Sequence, residues 1–160
     1  MDKVLSCCFS GHRSIPDERL SKLQSLLFQE TKRLIQIGVN HFIAGGAIGF
    51  DTLAALTVIE LRREYPQIAL ELALPCKDQC RKWPEEDILQ YQKILSLANN
   101  VIFLAEHYYR GCMQNRNRYM VDNSNYCICY CIQNTGGTAY TARYAGRQNK
   151  TVINLGGQLS

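Results

Sequence analysis

The sequence has no long hydrophobic stretch, and none of its apolar runs approaches 18 residues, so we expect no transmembrane helix and no membrane partner. Its first residues, Met1-Asp2-Lys3-Val4, lack the apolar core of a secretory signal peptide. No run of five or more like charges occurs, which argues against a basic tail for DNA or RNA. We therefore expect a cytoplasmic protein, and a nucleic acid is not the expected partner.

The cysteines lack the spacing of a zinc site, although the chain has eight of them. Cys7 and Cys8 lie inside an apolar run, and three more alternate along a later run, residues 127–131, so they share one face of a strand. Cys76 and Cys80 form a C-x-x-x-C pair in a loop, without a second pair. In a reducing compartment we expect burial as small hydrophobes and no metal site, and a redox role for Cys76 and Cys80 stays an alternative.

The chain is long enough for one domain, residues 1–160, with a core of its own, since 46% of its residues are apolar. Short apolar runs, most of them rich in β-branched or aromatic residues, predict strands. They are Val4–Phe9, His41–Ala44, Ile68–Leu74, Asn100–Ala105, Tyr126–Ile132 and Thr151–Leu155.

Segments with helical spacing separate these runs. The first follows Pro16 and ends at Gly38, the second is marked by residues 53–61, and the third follows Pro84 through residue 98. Residues 112–123 and 137–148 supply two more. Strictly alternating strands and helices predict an α/β fold, a doubly wound, mostly parallel sheet with helices on both faces.

Five polar or glycine-rich stretches follow five of these strands. In a parallel sheet they would all lie at the carboxyl edge, where open α/β folds bind ligands. They are residues 10–13, 45–51, 75–83, 106–118 and 134–138. This convergence predicts a binding site, and the net charge of +4 suits an anionic ligand.

Glycines dominate the second stretch. Gly45, Gly46 and Gly49 would let the backbone approach a phosphate while the N–H groups of the next helix face it. The stretch is neither G-x-G-x-x-G nor a phosphate-binding loop with the G-K-[ST] ending. Alternatively, these glycines only tighten a turn. Asp51 would either bind a ribose hydroxyl or cap the helix.

A second phosphate-sized site is expected after the fifth strand, at Gly136, Gly137 and Thr138, with ordinary helix capping as the alternative. Two such sites at neighbouring strand ends would suit a nucleotide or a diphosphate.

Arginines lie close to these stretches. Arg116 and Arg118 would bind phosphate in a fork geometry, or else lie on a solvated helix face. Ser10, Gly11 and Arg13 would contact an anion at the end of the first strand.

Two further side chains have competing interpretations. His12 would be an acid–base group or a turn residue. Trp83, the single tryptophan, lies beside basic residues and is a candidate for stacking on a base, or for partly buried packing.

Five motifs in order along the chain resemble the YpsA-like family of bacterial proteins. They are S-G-H-R, G-G-A-I-G-F-D-x-x-A-A, P-x-x-x-Q-x-x-x-W, M-Q-x-R-N-R-Y-M-V-D and G-G-T-x-x-T-x-x-Y-A. That family belongs to the SLOG superfamily, together with the DNA-processing protein DprA and the lonely-guy phosphoribohydrolases. The resemblance implies a Rossmann-like fold and a pocket for nucleotide-type ligands: NAD-derived molecules, ADP-ribose-like molecules or nucleoside monophosphates.

The sequence departs from the lonely-guy motif P-G-G-x-G-T-x-x-E, whose carboxylate assists cleavage of the N-glycosidic bond. Tyr140 or Thr141 stands where that Glu would be, so the catalytic residue is unknown. The first hypothesis is therefore a nucleotide- or ADP-ribose-binding sensor or regulator. The second is a hydrolase of nucleotide N-glycosidic or phosphate bonds that uses Asp51, Asp78 or Asp122. The third is DprA-like binding of single-stranded DNA, disfavoured by the small net charge and by few aromatic residues near the loops. Pairing with a second copy and regulation through a protein partner stay open.

Overall fold

A computed structural model describes residues 4–158, in which all six predicted strands and all five predicted helices are present. The strands are β1 (Ser6–Gly11), β2 (His41–Ala44), β3 (Ala69–Leu74), β4 (Asn100–Phe103), β5 (Tyr126–Tyr130) and β6 (Thr151–Asn154). The helices are α1 (Asp17–Gln36), α2 (Phe50–Glu64), α3 (Glu85–Leu97), α4 (Cys112–Asp122) and α5 (Gly137–Arg147), and a 3₁₀ turn covers Leu155–Gln158.

The first strand lies later along the chain than its apolar run. It begins at Ser6 and continues to Gly11, because β1 stays paired with β5 up to the pair Gly11–Tyr130. Ser10 and Gly11 are therefore strand residues and not part of a loop. The helix after β2 begins at Phe50, directly after the glycines.

All six strands are parallel, in the order β4-β3-β2-β1-β5-β6, which confirms the doubly wound α/β architecture. The chain builds the sheet outward from β1 to β4, then returns to the other side of β1 for β5 and β6. The expectation that the ends of β2 and β5 are neighbours is wrong, because β1 lies between them. Such a reversal marks the place where open α/β sheets form a ligand crevice.

Helices cover both faces of the sheet. On one face, α1, α2 and α3 bury a large apolar core, to which Leu27, Val58 and Ile94 contribute. On the other face, α4 and α5 cover a smaller core that includes Met120 and Ala145. Right-handed crossovers place helices on opposite faces when the strand order reverses, so the two cores follow from the topology.

The expected burial of the cysteines is largely confirmed. All eight are free thiols, six are buried, and Cys80 and Cys131 are partly exposed. Cys127, Cys129 and Cys131 all face the core under α4 and α5, as their alternating positions predict, and Cys8 packs in the same core.

Between residues 4 and 158, no helix has both the length and the apolar character needed to cross a membrane. The same residues contain no group of three or more His, Cys, Asp or Glu side chains arranged to hold a metal ion.

Candidate ligand site at the carboxyl edge of the sheet

A cavity of about 300 Å³ lies at the carboxyl edge beside β1, between the start of α2, helix α4 and the start of α5. This volume is at the lower end of the range for small-molecule sites. Seven of the predicted site residues line it: Ser10, Gly11, Arg13, Asp51, Arg116, Gly137 and Thr138.

The amino terminus of α5 is open toward this cavity. Its first turn has neither a side-chain cap nor an acidic residue. Gly136 precedes the helix with φ of +98°, and an added Cβ on Gly136 or Gly137 would meet no atom within 4 Å. Unpaired N–H groups at a helix start carry partial positive charge and bind anions. This end of α5 can therefore accept a phosphate.

The amino terminus of α2 is closed by protein groups. The Phe50 N–H donates to the His12 carbonyl at 3.1 Å, and the Ala47 N–H donates to Asp51 Oδ2 at 3.2 Å. Gly49 has φ of +82°, and a Cβ there would lie 2.3 Å from the Arg13 carbonyl oxygen. The glycine is needed because the loop after β1 passes directly over it.

The other two glycines of this loop also contact protein. The Gly45 carbonyl accepts a hydrogen bond from Arg116 Nη1, and the Gly46 carbonyl accepts one from Gln79 Nε2 at 3.3 Å. Gly46 and Gly49 line a second cavity of about 260 Å³. These contacts agree with the turn-tightening interpretation of the loop.

Arg116 lies under the first cavity as a buried cation, only 5% exposed. Its Nε donates to Asn117 Oδ1 at 2.7 Å, and a Cβ added to Gly45 would lie 2.5 Å from its Nη1 and 2.8 Å from Asp51 Oδ2. The guanidinium and the Asp51 carboxylate therefore face each other across Gly45.

Burial raises the pKa of Asp51, and the nearby charge of Arg116 and the Ala47 N–H oppose that shift. Burial likewise lowers the pKa of Arg116, and the Asp51 carboxylate opposes it. Each charge thus offsets part of the cost of burying the other.

The predicted arginine fork does not form. Arg118 lies about 200° around α4 from Arg116, and its guanidinium is 6.0 Å from the ring of Tyr140. Met113 and Asn117 line the cavity instead and were missed from the sequence. Met113 lies three residues before Arg116 and four before Asn117, so it shares a helix face with both, and this spacing is the signal that could have identified them.

Arg13 is exposed and connects three adjoining cavities: the two above and one of about 440 Å³. Trp83 lines the second and the third. Its ring packs edge to face on Tyr91, 5.4 Å between centroids, so it is half-buried by packing while one side faces the cavities.

The loops after β3 and β4 form the far wall of the third cavity. Lys77 pairs with Glu106 at 3.0 Å, and Asp78 Oδ1 accepts the Tyr108 N–H at 3.1 Å. Tyr108 is 64% exposed and Tyr109 42%. The premise that few aromatic residues lie near the loops is therefore wrong.

His12 connects the loops after β1 and β5. Its Nε2 accepts the Ile132 N–H at 3.0 Å, its ring packs edge to face on Tyr130, and burial lowers its pKa. These contacts favour a neutral turn residue. Cys76 is buried, and burial together with Asp78 raises its pKa to about 11, which suppresses the reactive thiolate. A redox role for Cys76 has no support from this geometry.

The sequence is similar to those of several bacterial proteins. The chain is 27% identical over 143 residues to a SPbeta prophage-derived protein of Bacillus subtilis, YoqJ, which carries the description uncharacterised; the match covers 82% of this chain and 80% of that protein. It is 32% identical over 117 residues to a UPF0398 protein of Macrococcus caseolyticus, covering 72% of this chain and 62% of the relative.

Solved structures of DprA share the architecture. The Helicobacter pylori protein, studied for its binding of single-stranded DNA, superposes with a TM-score of 0.66 at 20% identity over 94% of this chain. The Streptococcus pneumoniae protein gives 0.67 at 14% identity over 93%. This chain spans 65% and 49% of those two chains.

A family profile named YpsA, described as the YspA SLOG family, matches residues 9–154, nearly the whole chain. The match begins within β1 and ends at the last residue of β6, so it includes every loop around the cavity. The chain therefore belongs to the YpsA family of SLOG proteins, as its five motifs indicate.

Proposed function

We propose that this protein binds a nucleotide- or ADP-ribose-like ligand in the cavity beside β1 and acts as a sensor or regulator. One observation carries the proposal: the open amino terminus of α5 faces the same cavity as exposed Arg13 and buried Arg116. Three sources of positive potential thus converge on a space that could hold a phosphate.

The ligand's phosphate would lie at Gly137 and Thr138, where backbone N–H groups and a hydroxyl are free to donate. The adjoining cavity of about 440 Å³, lined by Arg13, Trp83 and Tyr108, would take the base. Aromatic rings beside cations suit a nucleobase, since every base offers a π-face for stacking. Gly45, Gly46 and Gly49 would support the site by close packing, and Arg118 would have no direct contact.

Hydrolysis is the second outcome to test. Asp51 is the one acidic residue among those that line the first cavity, and it is buried opposite Arg116. The Asp51 carboxylate already accepts a hydrogen bond from the Ala47 N–H and faces the buried Arg116 guanidinium. These contacts give Asp51 a structural role in the folded protein. We therefore expect binding without turnover.

The first experiment is a thermal unfolding panel with AMP, ADP, NAD and ADP-ribose. A ligand at 100 times its dissociation constant stabilises the fold by about 2.7 kcal/mol, which for a chain of this size raises Tm by roughly 5–11 °C. Arg13→Ala should reduce that shift. Arg147→Ala, which removes an exposed charge at the other end of α5, should keep it. Mass analysis of the same samples separates binding from hydrolysis, because free base or ribose phosphate would appear only in the second case.

Binding of single-stranded DNA is a second candidate. It is favoured by exposed Tyr108, which lines one cavity with the exposed cations Arg81 and Lys82, and by exposed Tyr109 next to it in the chain. Stacking rings in a basic groove are the features that hold single strands. The Helicobacter pylori DprA relative, by its description, binds such strands.

The test uses a fluorescent oligo-dT and polarisation at several salt concentrations. Binding should weaken steeply with salt, and Arg81→Ala should weaken it more than Arg147→Ala. Salt-independent binding, or equal effects of the two variants, would argue against this mode.

We also infer that the protein works in the cytoplasm. Eight free thiols, of which Cys80 and Cys131 are partly exposed, persist best in a reducing compartment.

A further inference from the structure

A fourth cavity, lined mostly by polar residues, lies at the amino edge of the sheet, at the opposite end of the strands from the ligand site. Ser6, His41 and Glu71 lie in the three adjacent strands β1, β2 and β3. The residues two positions later, Cys8, Ile43 and Ala73, all belong to the core under α4 and α5. Because side chains alternate along a strand, the three polar residues project from that same face.

These side chains form a chain of contacts across the sheet. Ser6 Oγ lies 2.9 Å from His41 Nδ1, and His41 Nε2 lies 3.7 Å from Glu71 Oε1. A neutral imidazole with its proton on Nε2 accepts the Ser6 hydroxyl proton at Nδ1 and directs its N–H toward the carboxylate. This is the arrangement that activates a hydroxyl as a nucleophile: Ser6 supplies the hydroxyl, His41 the base, and Glu71 the group that orients the base.

Glu71 is held firmly in this arrangement. It is 7% exposed, and its Oε1 accepts from Asn100 Nδ2 at 3.1 Å while its Oε2 accepts from the Tyr119 hydroxyl at 3.4 Å. These two neutral donors satisfy the carboxylate without cancelling its charge, so its negative charge acts on His41. The imidazole is 27% exposed and therefore reaches solvent.

The cavity above these residues has a volume of about 440 Å³ and is lined by all three, with Lys150 and Asp122 on its wall. Asp122 already accepts from the Tyr144 hydroxyl at 2.7 Å. Lys150 forms no ion pair with any residue from 4 to 158. Lys150 is the one cationic residue besides His41 among those that line the cavity, and its ammonium would stabilise negative charge on a bound substrate.

We propose that Ser6 is an activated nucleophile that hydrolyses small carboxylic esters in this cavity, with His41 as its base and Glu71 as a positioning residue. Ser6 Oγ would bond to the carbonyl carbon while its proton passes to His41 Nδ1. The carbon–oxygen bond of the ester would then break, and the alcohol would leave with that proton. Water would release the acid from Ser6 by the same route, with His41 taking and returning a proton.

The test is covalent labelling by a small fluorophosphonate, followed by peptide mass spectrometry, and turnover of p-nitrophenyl acetate. We expect one adduct, on the peptide that contains Ser6. Ser6→Ala should lose it, while Ser96→Ala, which removes an exposed serine on α3, should keep it.

Two further variants separate chemistry from folding. His41→Asn keeps a hydrogen-bonding group near the position of Nδ1 but has no base, so labelling should slow at least about 100-fold while the unfolding temperature stays close to the parent's. Glu71→Gln keeps the contacts with Asn100 and Tyr119 and removes the charge, so labelling should also slow. An unlabelled parent protein, an adduct at another serine, or equal rates in the parent and in His41→Asn would each overturn the proposal. None of these outcomes depends on nucleotide binding at the carboxyl edge.

Discussion

Removal of the Arg116 charge should destabilise the protein strongly, because this guanidinium is buried against Gly45 and Asp51. In Arg116→Met the Gly45 carbonyl loses its donor and the Asp51 carboxylate loses its counter-charge. Breaking a buried pair in this way costs about 3–5 kcal/mol. For a chain of this length, that corresponds to a fall in Tm of roughly 6–20 °C.

Urea unfolding followed by circular dichroism measures this cost, with Arg118→Met as the matched control on the same helix. Arg118 is exposed and lies over the Tyr140 ring, so its loss should cost no more than about 1 kcal/mol. Adding Asp51→Asn to Arg116→Met should recover part of the loss, since no buried charge is then left alone. Equal midpoints for Arg116→Met and Arg118→Met would refute the account of Arg116 as a buried counter-charge.

Four smaller predictions follow from single contacts. Burial raises the pKa of Asp51 above 3.8, so the free energy of unfolding of the parent should fall as pH rises through that raised pKa. In urea unfolding between pH 4 and 7, the stability of Asp51→Asn relative to the parent should therefore increase with pH. A difference that does not change with pH would contradict the shift. The pKa of His12 is lowered below 6.5, so stability falls as pH drops from 6.5 through that lowered pKa. His12→Gln, which keeps an acceptor for Ile132, should lose less between pH 7 and 5, as measured by urea midpoints. Titration of the folded protein with Ellman's reagent should show fast reaction of at most two thiols, Cys80 and Cys131, and all eight should react after unfolding. Fast reaction of more than two thiols would contradict the burial of the other six. Gly49→Ala should cost at least about 2 kcal/mol in urea unfolding, because φ is +82° and the methyl would meet the loop after β1; a cost under 0.5 kcal/mol, roughly that of an ordinary surface change, would refute the close approach.

Short apolar runs and helical spacing were enough to predict the elements, since each is a local pattern of burial. The order of the strands was not predictable in the same way, because pairing is long-range: nothing near Tyr126 shows that β5 lies beside β1. The expected proximity of the β2 and β5 ends was wrong for this reason.

The sequence predicted where the site lies better than it predicted which side chains contact each other there. Gly137 and Arg13 line the cavity, as expected. A glycine-rich sequence is the same whether a ligand or another part of the chain comes close to it, however, and at Gly49 the group that comes close is the Arg13 backbone. Arg116 and Arg118 have the same chemistry. Only the direction in which α4 packs decides that the first is buried and the second is exposed.

Calorimetric titration of the parent, Gly137→Ala and Gly146→Ala with ADP-ribose and AMP tests the central claim most directly. Neither added methyl meets an atom within 4 Å and both lie on α5, but only Gly137 lines the cavity. We expect binding of at least one of these ligands to the parent and to Gly146→Ala, and at least tenfold weaker binding to Gly137→Ala, a change of about 1.4 kcal/mol. Equal affinity in all three proteins would contradict a phosphate site at the start of α5, and no binding to the parent would contradict the nucleotide site itself.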